Sequence, residues 1–129
     1  MVNLQFDDLL IEVDERETGV LVLNWLGRSA SRNPGGVLHP WFDQLFGVAR
    51  ERGCALEMRF ERLEHFNSST IAVLIQLINS AQDRRIKLTV RYDANLRWQT
   101  LSFDALRRAL RPFDAGPGAD SVQVKFVAQ

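Results

Sequence analysis

Short runs of alternating apolar and polar residues and longer runs with helical spacing succeed one another along this chain. Leu9 to Val13 and Val20 to Trp25 are β-rich and flank the charged segment Asp14 to Gly19, whose closing glycine favours a turn, so they predict an antiparallel hairpin. Gly27 to Gly36 is polar, rich in turn formers, and reads as an exposed loop. From Pro40 the spacing becomes helical. Trp41, Leu45, Val48 and Ala49 share one stripe, Asp43, Gln44, Arg50 and Glu51 lie elsewhere, and Gly53 offers the stop. Residues 55 to 60 alternate again, turning Leu56, Met58 and Phe60 to one face and Glu57 and Arg59 to the other.

Residues 63 to 78 bring a strand exit, a hydroxyl cluster and an apolar helix into immediate succession. Ile71, Leu74, Ile75, Ile78 and Ala81 form the helical stripe, Val73 and Leu77 widen it, and the end falls near Asp83-Arg84-Arg85. Ile86 to Tyr92 predicts a strand with Ile86, Leu88, Val90 and Tyr92 inward and Lys87, Thr89 and Arg91 outward. Ser102 is placed to cap a helix carrying Phe103, Leu106 and Leu110 on one side and Arg107, Arg108 and Arg111 on the other, until Pro112. A loop over 114–120 leads to a last strand, Val122 to Val127. The order β, β, α, β, α, β, α, β predicts an α/β fold: a mixed, mostly parallel sheet with an antiparallel N-terminal hairpin and helices packed on it.

With 129 residues, 46% of them hydrophobic, the expectation is a single domain, 1–129, with a real core. Sixteen basic residues balance sixteen acidic ones, which leaves no electrostatic footprint for nucleic acid. Cys54 alone makes neither a disulfide nor a cysteine-rich zinc site. The start, Met1-Val-Asn-Leu-Gln-Phe-Asp-Asp, lacks a signal peptide's basic and apolar regions, and no run is long and apolar enough to span a bilayer. A cytoplasmic protein is expected.

Candidate chemistry concentrates at Asn67, Ser68, Ser69 and Thr70, where a helix should begin. Such a terminus offers unpaired N–H groups and the positive end of a dipole, so these residues suit a helix cap, an anion site or a nucleophile. Catalysis finds little support: His39 and His65 are the available bases, and no Gly-x-Ser-x-Gly elbow surrounds either serine. Two isolated histidines and one cysteine lack the paired spacing of a metal site. The glycine-containing loop at 27–36 has no terminal Gly-Lys-Ser/Thr, so it reads as a connector rather than a phosphate cradle.

The element order and the segment Phe66-Asn-Ser-Ser-Thr-Ile-Ala-Val-Leu resemble the STAS domain of bacterial anti-sigma factor antagonists, whose signature at this junction is Asp-Ser-Ser-Gly before an apolar helix. Strand 55–60 corresponds to the strand leading into that family's phosphorylation loop. The chain is also similar to small single-domain STAS-like regulators that carry Asn-Ser-Ser or Asn-Thr-Ser here, some with a tryptophan segment like Arg97-Trp98-Gln99 opening the next helix.

The resemblance implies a non-catalytic switch protein without cofactor, taking part in partner switching. A serine kinase or anti-sigma-like ATPase would phosphorylate Ser68, with Ser69 and Thr70 as lesser candidates, and a PP2C-type phosphatase would remove the phosphate. Asn67, Ser68, Ser69, Thr70 and Trp98 would then meet these proteins or a downstream signalling protein. A constitutive STAS scaffold that never sees a kinase is the alternative. Asn67 replaces the family's aspartate, removing a charge a kinase would read, and Thr70 replaces its glycine with a β-branched side chain.

Overall fold

The computed structural model of the chain describes residues 1–110 and 124–129. In chain order the elements are β1 (Leu4–Phe6), β2 (Leu9–Asp14), β3 (Val20–Ser29), α1 (Gly35–Arg52), β4 (Ala55–Arg59), β5 (Leu63–Phe66), α2 (Ser68–Asp83), β6 (Leu88–Tyr92), α3 (Arg97–Ala109) and β7 (Val124–Ala128). Among the described residues, seven strands make one sheet in the order β1-β2-β3-β4-β6-β7, with β5 beside β3. β1, β2 and β3 pair antiparallel, and every other pairing is parallel. The fold is the expected α/β class with a mixed, mostly parallel sheet.

Period-two alternation decides which face of that sheet is covered. Leu21, Leu23 and Trp25 of β3, Leu56 and Met58 of β4, and Leu88, Val90 and Tyr92 of β6 are buried in one cluster. Leu38, Phe42 and Leu45 of α1, Leu74, Leu77 and Ile78 of α2, and Phe103 and Leu106 of α3 join the same cluster. All three helices therefore pack on one face. Each large apolar side chain sealed there contributes about 1.5–3 kcal/mol. The alternate residues Glu57, Arg59 and Arg91 stand on the other face, half-buried and ion-paired: Arg59 reaches Glu57 at 2.6 Å and Arg91 reaches Glu61 at 3.4 Å.

Aromatic rings tie the core to one edge of the sheet. Trp25 packs on Phe60 at 4.8 Å between centroids, Phe60 on Phe103 at 4.9 Å, Phe103 on Phe66 at 5.5 Å, and Phe66 meets Trp98 edge-on at 5.4 Å.

Several boundaries differ from the sequence expectation. β1 is an additional short edge strand, and the expected loop at 27–36 is strand as far as Ser29. α1 begins at Gly35 and takes Pro40 into its body, because Leu38 is wholly buried and Pro34, with its fixed φ, opens the helix by accepting the Leu38 N–H at 2.9 Å. The segment 55–66 is two strands, so β5 rather than β4 leads into the hydroxyl cluster. α3 starts at Arg97, which places Ser102 inside the helix instead of at its cap. Pro112, Arg111, the loop 114–120 and the first residues of the expected last strand lie outside the described residues.

Candidate functional site

The parallel strands β3, β5 and β6 end at Ser29, Phe66 and Tyr92, and α2 and α3 start just beyond that same edge of the sheet. Clefts outside the carboxyl ends of parallel strands are the usual binding places of α/β sheets. β3 reaches the junction by changing partners. It pairs with β4 through Asn24 and with β5 from Gly27, which lies opposite Leu63; the register shifts between Gly27 and Arg28, setting Ser29 opposite Phe66. Gly27 is what permits this: its φ is 82°, and an added Cβ would overlap the main-chain carbonyl of Asp8.

Asn67 caps α2. Its Oδ1 accepts the Thr70 N–H at 2.9 Å, its Nδ2 donates to the Ser31 carbonyl at 2.9 Å, and its own N–H donates to the Ser29 carbonyl at 3.0 Å. The side chain thus caps the helix and also pins the β3–α1 loop.

Thr70 is wholly buried and locks α2 to β3. Asn67 Oδ1 can only accept, so the Thr70 hydroxyl donates to it at 2.8 Å. The Ser29 hydroxyl then donates to Thr70 Oγ1 at 2.7 Å, and the Ser29 carbonyl lies 3.3 Å from the same oxygen. Expected among the phosphorylation and contact residues, Thr70 is part of the framework: its hydroxyl is sealed from solvent and its one donor is used on Asn67.

Ser68 and Ser69 differ from these two neighbours. Ser68 is exposed and Ser69 half-buried, at the first two positions of α2. Their backbone N–H groups have no acceptor within the helix, and the dipole favours negative charge beside them. Among the described residues, no hydrogen bond joins either serine to an imidazole; His39 instead shares a 2.7 Å bond with Gln76, and His65 sits in β5 opposite Arg28.

Trp98 meets the junction through its ring contact with Phe66 and is half-buried. The first turns of α3 also leave Leu101 57% exposed, with Leu96 open at the start of the helix.

Gln99 escaped the sequence reading. It is wholly buried, its Nε2 donates to the carbonyls of Phe60 at 2.7 Å and Leu63 at 3.3 Å, and its Oε1 accepts the Asp93 N–H at 2.7 Å. One amide thereby satisfies the β4–β5 turn and fixes the start of α3, which sets where Trp98 stands. Its signal in the sequence is its place four and seven residues before Phe103 and Leu106, the positions of a core stripe.

No protein-family model matches the sequence, and comparison with curated proteins gives no match. No helix of the described residues is long and apolar enough to cross a membrane.

Proposed function

We propose that this chain is a non-catalytic switch protein of the STAS type, in which reversible phosphorylation of Ser68 decides which partner the α2 edge of the sheet holds. The carrying observation is a division of labour at one junction. Asn67 and Thr70 are consumed in fixing the helix to the sheet, while Ser68, one residue along, stands exposed at the helix start. The resemblance in element order and in Asn67-Ser68-Ser69 supports the same reading.

Phosphate on Ser68 adds roughly −1.5 to −2 charges. Placed at a helix N-terminus, that charge is stabilised by about 0.3–1 kcal/mol, so the fold survives and the surface changes sign. A partner that seats Leu101, Leu96 and Trp98 on an apolar or acidic surface accepts the neutral serine. It rejects the phosphorylated form by desolvation and repulsion. The partners expected are a serine kinase of the anti-sigma ATPase kind, a PP2C-type phosphatase and a downstream signalling protein, in the cytoplasm.

Capture of partners from cells expressing Ser68→Ala and Ser68→Asp variants tests this. The reading expects different captured sets. Identical sets for the two variants would instead support a constitutive scaffold using the same face.

A further inference from the structure

At the other end of α2, roughly 24 Å from Ser68 at 1.5 Å per residue, the last turns of α1 and α2 meet the starts of β4 and β6. They border an open cleft of about 510 Å³. Arg50, Arg84, Arg85 and Lys87 line it and, among the described residues, no carboxylate does, in a chain whose charges balance overall.

Basic residues at helix ends ordinarily serve the last carbonyls. These carbonyls are already satisfied by main-chain donors: Ala49 O by Cys54 at 2.8 Å, Ser80 O by Arg84 at 3.0 Å, Ala81 O by Ile86 at 2.9 Å and Gln82 O by Arg85 at 3.0 Å. Arg84 is held by Asp43 at 3.1 Å and by the Phe46 ring beneath its guanidinium at 5.1 Å. Among the described residues, Arg50, Arg85 and Lys87 have no ion-pair partner.

The backbone gives a second, independent observation. α1 closes through Gly53 at a φ of 66°, the residue such a left-handed position favours, whereas the chain leaving α2 takes the same turn with Arg85, at a φ of 57°. An arginine stands where glycine is the lower-energy choice. Strain of this kind persists only where the surroundings hold it, and it clusters at ligand clamps and functional sites.

We infer that this cleft is a binding site for a small phosphate-bearing polyanion, held by Arg50, Arg85 and Lys87 with Arg84 as a fixed wall. Among the described residues no aromatic ring lines the cleft, so recognition falls on the phosphates and not on a stacked base. The site is separate from the Ser68 junction and stands whether or not that serine is modified.

The test is titration of the full chain with pyrophosphate, read by calorimetry and by amide NMR shifts, against KCl at equal ionic strength. The expected result is saturable binding, with shifts at Gly53, Arg85 and Lys87 and none at Ser68 or Ser69. Lys87→Gln and Arg85→Gly should each weaken binding about tenfold, as loss of one charge-assisted contact implies. Arg85→Gly should at the same time leave thermal stability unchanged or raise it, because glycine relieves the left-handed backbone. Shifts centred on Ser68, an effect reproduced by KCl, or variants that bind like the native chain would each overturn the assignment. Capture of an acidic peptide by the cleft with no response to pyrophosphate would overturn it as well.

Discussion

Replacing Thr70 with valine keeps the shape of the side chain and deletes only its hydroxyl. Two consequences follow from the hydrogen-bond directions. The Ser29 hydroxyl, buried and donating to Thr70 Oγ1 at 2.7 Å, loses its acceptor, and Asn67 Oδ1 loses the 2.8 Å bond while keeping the Thr70 N–H. An orphaned buried hydroxyl costs about 1–3 kcal/mol and an ordinary lost bond about 1 kcal/mol, so Thr70→Val should destabilise by about 2–4 kcal/mol. Ser29→Ala alone removes a single bond, and about 1 kcal/mol is expected. The double variant has no orphan, so it should be no less stable than Thr70→Val itself, leaving a coupling of about 1–2 kcal/mol. Urea unfolding followed by far-UV circular dichroism reads all three. Ser68→Ala belongs in the same series as a reference, expected within about 0.5 kcal/mol of the native chain because that side chain is exposed. Additive single losses, or a Thr70→Val chain as stable as the native one, would show that Thr70 does not join α2 to β3.

Three further expectations follow from other parts of the structure. Gly27→Ala forces a Cβ into the Asp8 carbonyl at a positive φ, and a loss above about 3 kcal/mol in urea unfolding is expected. Gln99→Leu removes the side-chain donor to the Phe60 and Leu63 carbonyls and the acceptor of the Asp93 N–H, while Phe60 O keeps the Leu63 N–H at 2.9 Å, so a loss of about 1–3 kcal/mol with faster amide exchange in the first turn of α3 is expected; unchanged exchange there would refute its anchoring role. The Arg16 guanidinium and N–H beside Asp14 hold its carboxyl at about 2, below the ordinary carboxylate range, so that contribution to stability is present above about pH 4 and is lost as pH falls toward 2. Asp14→Asn should therefore lower stability slightly in the neutral region and flatten the fall between about pH 4 and pH 2, so that the two curves converge at the acid end; an identical pH dependence would contradict this.

The sheet was legible because alternation over 55–60 and 86–92 is strict, and a solvated sheet face leaves that mark on the sequence. Residues 86, 88, 90 and 92 are buried as expected, and the helical stripe of α2 lies on the core. What the sequence hid has physical causes. Pro40 inside α1 masked the five residues of helix before it, since the burial of Leu38 outweighs the missing N–H. A polar Gln99 on a core stripe concealed the first turn of α3, because its hydrogen bonds are to distant main chain rather than to neighbours in sequence. At the junction, cap and exposed serine were both visible as residue types, and their roles were not. Asn67 and Thr70 acquire theirs from Ser29 and Ser31, which the sequence places far away and β3 brings alongside.

The most direct measurement is phosphosite mapping, by fragment mass spectrometry, on the chain purified from its native cells alongside the Ser68→Ala variant. A single phosphate on Ser68, absent from the variant and leaving Ser69 unmodified, is the predicted result. Phosphate confined to Ser69, or a Ser68→Ala chain phosphorylated to the same extent as the native one, would contradict it.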